Sequence, residues 1–450
     1  MADEVNDLHG EPLAELCRAL GDGDAERVRA LLLDLHPADQ AELYRFLDTD
    51  DRKAFVAALD EALEPEFLSY VEEELRPEIV KTLGAERTAK ALAELESDDA
   101  IAFLEDLDEA DQLLVLAALP AAERREVAQS LAYPEYSAGR LIQRDFVALP
   151  DYWVVGQAID YLRNHADLPD DFYDIFLVNP RFEPVGSIPL SMILRSGRSV
   201  PLRQLRTKEL RTFPATADQE EMARAFRKYA LVSAAVVDER GRILGVVTVD
   251  DIVEVIEEEA EDDFLKLGGV SESDVFRPLA QTVKRRQPWL IVNMGTAILA
   301  ASVIAQFEAS IEAIVALAVL MPIVASMGGN SGSQTLTIVV RGLATGEVTA
   351  ANAWRVFFKE LGVGLANGGT FLIIGALVAL LWFRMVDLAL VFGLALLVTL
   401  FFAACIGVLI PLTLQRLKID PAIASAVFVT TVTDIFGFLT FLGVATLVLL

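Results

Sequence analysis

The run Met327-Gly328-Gly329-Asn330-Ser331-Gly332-Ser333-Gln334 places small and polar residues inside a stretch that otherwise reads as membrane-spanning. Lipid tolerates such a run only where protein or water covers it. Farther along, Asp434 is the only acid between Asp420 and the C-terminus, and it falls in the middle of an apolar helix. A carboxylate at mid-membrane costs on the order of 3 kcal/mol unless water, a cation or a partner compensates it, and no Lys or Arg shares its segment. Thr430 and Asp434 are four apart, hence on one helical face, where a carboxylate, a hydroxyl and a carbonyl can meet a hydrated ion. Asn330 and Gln334, beside Gly328 and Gly329, offer amide groups to the same kind of path. The chemistry is that of a hard cation, since no Cys, His or Met stands next to Asp434. A protonated, hydrogen-bonded Asp434 is the structural alternative.

The elements that must hold these residues follow from how apolarity and charge are distributed. Residues 287 to 450 hold six Lys/Arg and seven Asp/Glu, which leaves 32 basic and 60 acidic residues in 1 to 286 and −28 of the net charge of −29 there. The chain therefore reads as an acidic soluble part followed by a membrane part. So negative a field argues against nucleic acid and against docking on anionic lipid heads, and it favours cationic partners. Cys17 and Cys405 lie in different parts, so a disulfide framework is not expected. The start Met-Ala-Asp-Glu-Val-Asn-Asp lacks the basic and apolar regions of a signal peptide, so the acidic part is expected to stay in the cytoplasm.

A spanning helix needs about 20 apolar residues. Five segments qualify, roughly 288 to 307, 314 to 340, 356 to 383, 387 to 414 and 421 to 449. Lys284, Arg285, Arg286, Arg341, Arg355, Lys359, Arg416 and Lys418 fall on one side of them and Arg384 alone on the other. By the positive-inside rule the N-terminal part is cytoplasmic and the C-terminus lies outside. Within the second segment, Met321-Pro322 removes a backbone donor and Gly328-Gly329 loosens the helix, so freed carbonyls are expected to face a water-filled path. Gly364, Asn367, Gly368 and Gly369 of the third segment read instead as close helix packing.

Residues 1 to 130 are rich in Ala, Leu and Glu with helical periodicity, punctuated at His36-Pro37, Glu64-Pro65, Arg76-Pro77 and Leu119-Pro120, which predicts short stacked helices. After Pro134, strands appear in an internal repeat. Phe176-Leu177-Val178-Asn179 and Val185-Gly186-Ser187-Ile188-Pro189-Leu190 recur 59 residues later as Ala235-Val236-Val237-Asp238 and Leu244-Gly245-Val246-Val247-Thr248-Val249. Each unit reads helix, strand, turn, strand, helix, and such a tandem packs as a pseudo-twofold pair. The second unit, with Gly245-Val246-Val247-Thr248-Val249-Asp250-Asp251, resembles a cystathionine-β-synthase-type (CBS) repeat. That resemblance implies a regulatory module for adenine nucleotides or ions, with the ribose contact between Thr248 and Asp251.

Glu257-Glu258-Glu259-Ala260-Glu261-Asp262-Asp263 follows, with Lys266 the only base within the next turn. Six carboxylates so close repel one another, and a hard divalent cation with oxygen ligands would relieve them. A solvated acidic helix end is the alternative. The chain carries no G-x-x-x-x-G-K-[ST] and no acyl-phosphate or zinc-hydrolase signature, so enzymatic activity is not expected.

Pro322 through Gln334 with Arg341-Gly342-Leu343-Ala344-Thr345, then Phe358 through Gly364, then Asp420-Pro421-Ala422 with Thr433-Asp434, resemble the MgtE magnesium transporter/channel family. The resemblance implies an α-helical membrane protein of five transmembrane helices with a cytoplasmic all-α N domain and an α/β tandem CBS domain. The expected divisions are a helical N domain over 1 to 130, the CBS pair over 131 to 260, a connecting helix over 261 to 287 and a pore domain over 288 to 450. It further implies a homodimer in the inner cell membrane, with a pore between the two membrane parts. Asp434, the backbone at Thr430, and Gly328, Gly329 and Asn330 would line it for hydrated Mg²⁺. Cytosolic Mg²⁺ would close it by bridging acids, for which Glu66, Asp98, Asp99, Glu220, Asp251, Glu257, Glu258, Glu259 and Glu261 are the candidates. ATP at Thr248 and Asp251 is a further expectation. Two family acids are replaced, at Ala102 and Ala230, which predicts weaker closure. Transport of Co²⁺, Mn²⁺ or Ca²⁺, or a membrane-anchored ion or nucleotide sensor, are the alternatives that the residues leave open.

Overall fold

The computed structural model describes residues 11–59, 62–165, 168–169, 172–207, 209–270 and 279–450, except the side chains of 11 and 423–426. It forms two units, Met1–Glu257 and Glu258–Leu450.

The first unit begins with short helices: α1 (Glu11–Gly21), α2 (Ala25–Leu32), α3 (Pro37–Phe46), α4 (Thr49–Leu59), α5 (Arg76–Leu83), α6 (Ala85–Leu92), α7 (Ser97–Glu105), α8 (Glu109–Ala118) and α9 (Ala121–Ser130). Their ends are written in the sequence. Asp24 accepts from the Arg27 amide and Asp108 from the Asp111 amide, while Pro37 occupies the first turn of α3. These caps satisfy amides that a helix start leaves unpaired. The helices close around Tyr44, Phe55 and Phe67, whose rings meet edge-on or stacked within 5.9 Å and are fully buried.

The rest of that unit is two copies of one motif. The first contains β1 (Ala148–Pro150), α10 (Val155–Asn164), β2 (Asp174–Val178), β3 (Pro184–Pro189), α11 (Leu190–Arg195) and α12 (Leu202–Leu205). The second contains β4 (Thr212–Pro214), α13 (Gln219–Tyr229), β5 (Ser233–Val237), β6 (Ile243–Thr248) and α14 (Val249–Leu267). Each three-stranded sheet pairs its first two strands parallel and its last two antiparallel. The register repeats: Phe176 faces Ser187 as Ala235 faces Val246, and both pairs shift register at the end of the middle strand. Asp174 and Ser233, at equivalent places in the repeats, touch each other, with the Ser233 hydroxyl donating to Asp174 Oδ2 at 2.7 Å. Phe176 and Ala235, also equivalent, share one buried cluster. Equivalent residues in mutual contact are the mark of a local twofold axis.

The second unit is helical: the end of α14, then α15 (Leu279–Ala305), α16 (Glu308–Ala313), α17 (Ala316–Ala344), α18 (Ala353–Phe383), α19 (Val386–Arg416) and α20 (Pro421–Leu449). By length and composition α15, α18, α19 and residues 427–449 of α20 can cross a membrane, four candidates in all among the described residues. α19 lies among α17, α18 and α20. Backbones approach closely through small residues: a Cβ on Gly364 or Gly368 of α18 would stand 3.1 or 3.0 Å from the carbonyl oxygens of Leu400 and Leu397. Those two glycines are packing residues, whereas a Cβ on Gly369 would meet nothing within 4 Å. α17 is unbroken through Pro322 and through Gly328 and Gly329. The opened backbone expected there is absent, because Pro322 sits near the start of a helix whose small residues are packed against α19 and α20.

Candidate functional site

In the first unit, an edge contact brings acids together. Residues 142–144 run beside β6: the Gln143 amide donates to the Val246 carbonyl at 2.8 Å and the Val246 amide returns the bond at 2.9 Å. Gly245 makes this approach possible, since a Cβ there would stand 2.4 Å from the Gln143 carbonyl oxygen. The same segment holds the start of α7. The Ser97 hydroxyl donates to the Ile142 carbonyl at 2.9 Å and accepts from the Arg144 amide at 3.0 Å, and Gln143 Nε2 donates to Glu96. This seam sets Asp98 and Asp99 against the first turns of α14.

Asp98 is 6% exposed, and its Oδ1 has no hydrogen-bond partner among the described residues. Its carboxyl meets that of Asp251, which accepts from the Thr248 amide at 3.1 Å and from the Thr248 hydroxyl at 2.9 Å. Burial, then the charge of Asp251, pushes Asp98 well above the ordinary carboxylate range. Burial, then Glu96 and Asp251, lifts Asp99 to about 7. Burial also raises Glu254, Glu96 and Asp251. Arg76 partly offsets this at Asp99 and Glu254 while donating to the Ala102 carbonyl at 2.8 Å and pairing with Asp106. Glu66 borders the group, for Tyr70 is raised by burial and by Glu66, Asp99, Glu254 and Asp250.

Oxygen-only donors with too little positive charge fit a hard divalent cation. No three acid, His or Cys side chains among the described residues already converge as a coordination sphere. A cation there would have to draw the carboxylates inward. Thr248, expected at the ribose of a nucleotide, spends its hydroxyl on Asp250 and Asp251. Glu220, also among the sequence candidates, is paired with Arg224 at 3.4 Å along α13. Sequence reasoning passed over Glu96 and Glu254. The second was findable, being three residues from Asp251 and so on the same face of α14. Ala230 ends α13 in the left-handed region at φ 51°.

Of the acid run, Glu257 closes the first unit, and Glu258, Glu259 and Glu261 belong to the second. There Lys266 is shared by Asp262 and Asp420, with Nζ 2.7 Å from Asp420 Oδ2. Asp420 Oδ1 accepts from the Ala422 amide at 2.8 Å and so caps α20. Burial and the nearby Asp420 lift Asp263 to about 6. Leu267 packs with Leu336, Val340, Ala422 and Val429, which fixes the end of α14 on α17 and α20.

Among the membrane helices, Ser326, Asn330 and Gln334 succeed one another at four-residue spacing on the exposed face of α17. Asn330 Nδ2 donates to Ser326 Oγ at 3.5 Å. Gly328, by contrast, is buried, where a Cβ would stand 2.7 Å from Thr399 Cγ2 and 3.6 Å from Thr433 Cβ. A Cβ on Gly329 would reach Thr430 Cγ2 at 4.0 Å. α17 and α20 thus meet at Gly328, Gly329, Thr430 and Thr433, and Asp434 follows directly, half-buried. No base pairs with the Asp434 carboxylate among the described residues. The polar residues that the sequence singled out thus stand on the side-chain surface of a continuous helix.

Three family models match the chain: one described as a divalent cation transporter over residues 321–444, the MgtE intracellular N domain over 35–136, and a CBS domain over 202–258. The magnesium transporter MgtE of Bacillus subtilis (strain 168) is 32% identical over 329 residues, 73% of each chain. That of Thermus thermophilus is 34% identical over 331 residues, 72% of this chain and 73% of its own. Among solved structures, the cytosolic domain of the Mg²⁺ channel MgtE in complex with ATP is similar, with a TM-score of 0.50 and 29% identity over 54% of this chain and 99% of that one.

Proposed function

Because the chain belongs to the MgtE family of magnesium transporters, we propose that it conducts Mg²⁺ passively across the cell membrane and that cytosolic Mg²⁺ closes it. The observation that carries the reading is that α17 meets α20 at Gly328, Gly329, Thr430 and Thr433, beside the half-buried Asp434, while the same α17 exposes Ser326, Asn330 and Gln334. An uncompensated acid and a polar stripe on apolar helices are costly in lipid. A second copy of the chain, set against this face, would enclose them as a water-filled path. In this reading α17 is the fifth spanning helix, the N-terminus is cytoplasmic, the C-terminus is outside, and Mg²⁺ passes largely hydrated, because it gives up its water reluctantly. The membrane potential supplies roughly 2.3 kcal/mol per charge per 100 mV.

Closure would be driven at the carboxylates around Asp98, Asp99 and Asp251 in the first unit and at the acids of α14 in the second. The buried Asp98 oxygen without a partner and the shortage of cations support a regulatory ion there. The replacements at Ala102 and Ala230 favour closure that needs more Mg²⁺. An adenine nucleotide at the CBS pair would use the Thr248 region only if the Thr248 bonds to Asp250 and Asp251 rearrange.

The test is Mg²⁺ uptake into liposomes holding the purified chain, with Asp434→Ala as the comparison and Co²⁺, Mn²⁺ and Ca²⁺ as competitors. Uptake abolished by Asp434→Ala is expected. Full uptake by that variant sinks the path. Stronger transport of a competitor favours the broader divalent reading, and absence of flux in the parent favours a sensor.

A further inference from the structure

Thr399 lies in the middle of α19 and is 2% exposed. Threonines in membrane helices ordinarily turn the hydroxyl back to the carbonyl one turn earlier. Thr337, Thr370, Thr413, Thr431 and Thr446 all do so, to the carbonyls of Ser333, Ala366, Leu409, Val427 and Leu442. The Thr399 hydroxyl instead is buried with no hydrogen-bond partner among the described residues. Its side chain is wedged where α17, α19 and α20 meet. A Cβ on Gly328 would stand 2.7 Å from Thr399 Cγ2, and one on Gly437 would stand 3.5 Å from Cγ2 and 3.7 Å from Oγ1.

The methyl therefore fills the notch left by Gly328, and the hydroxyl reaches toward α20 at Gly437, one helical turn beyond Asp434. Valine has the same outline and no buried hydroxyl to satisfy, so shape alone would be served better by valine. A buried hydroxyl of this kind is costly unless a small hydrogen-bonding group such as a water reaches it.

We propose that Thr399 is a positioning residue for the ion path, its hydroxyl holding a water that fixes α20 one turn beyond Asp434. The proposal rests on reading α17 and α20 as that path. It acts from behind these helices, on a helix to which the sequence reading assigned no site.

The experiment compares the full chain with Thr399→Val and Thr399→Ser in liposomes, measuring Mg²⁺ uptake against Mg²⁺ concentration together with the melting temperature. Thr399→Val should melt no lower than the parent while raising the half-saturating Mg²⁺ concentration roughly fivefold, with a smaller change in maximal rate. Thr399→Ser, which keeps the hydroxyl, should stay within about twofold of the parent. A valine variant with unchanged half-saturation, or a serine variant shifted as far as valine, overturns the inference. Should valine fail to reconstitute, the serine variant still decides, because a shift there contradicts the role of the hydroxyl. Parent uptake with an unaffected valine variant removes this inference alone, whereas absence of parent uptake removes the transport reading and this inference with it.

Discussion

The Asp98 carboxyl, in the first turn of α7, meets the Asp251 carboxyl, in the first turn of α14, and burial raises both above the usual carboxylate range. The chain brings like charges together by a seam of neutral groups, Ser97, Gln143 and Gly245. Backbone pairing and packing hold the acids where their charges oppose it, so protons and cations both bear on how firmly this contact stays shut.

Acidity is the first lever. A carboxyl raised on folding binds its proton more tightly folded than unfolded, so its contribution is full below the ordinary 3.8 and is lost as pH rises, through about 7 for Asp99. Without Mg²⁺, the first unit should therefore lose protease protection as pH rises from about 5 to about 8. Added Mg²⁺ should restore it, and more strongly at the higher pH. Protection that increases with pH in metal-free buffer would contradict this.

Neutralising Asp98 separates the two roles of the cluster. Asp98→Asn should change the stability of the metal-free first unit by no more than about 1 kcal/mol, because burial already favours the protonated Asp98, and should weaken Mg²⁺ protection about tenfold. Thermal melting with and without Mg²⁺ reads both effects.

The seam itself can be broken at Gly245. Gly245→Ala drives a methyl to 2.3 Å from Ile142 Cγ2 and 2.4 Å from the Gln143 carbonyl. A cost of about 1 to 3 kcal/mol is expected, toward the upper end because one neighbour is backbone. Hydrogen exchange should show the Gln143 and Val246 amides losing protection together.

Ala230 offers a change in the other direction. It holds φ 51°, where a side chain is disfavoured and glycine is not. Ala230→Gly should raise stability by about 1 kcal/mol, measured by denaturant titration.

Much of this was readable from the residues. The repeat showed itself because equivalent strands keep one apolar pattern, whereas Asp98, Asp99 and Asp251 were named through the family resemblance. Glu254 was hidden because acids on an exposed helix face are ordinary, and Gln143 because its role depends on a partner strand about a hundred residues away. Pro322 and the paired glycines suggested an opened helix, yet α17 is continuous. Those residue types break a helix in isolation, whereas here Gly328 and Gly332 let α19 and α20 pack so closely that the helical form is held. Ala102 looked like a missing acid, and in the fold its carbonyl anchors Arg76.

Asp420 spends one oxygen on the Ala422 amide and the other on Lys266. Lys266→Met should cost no more than about 1 kcal/mol, as the pair is partly open to solvent. Asp420→Ala, which also removes the cap, should cost about 1 to 2 kcal/mol. Because charge holds the start of α20 as well as packing, plain monovalent salt becomes a conformational variable. Raising ionic strength shortens the reach of such a pair. Sodium chloride, binding nowhere in particular, would then loosen the root of the helix that carries Asp434, so that osmotic stress and magnesium supply would act on one joint.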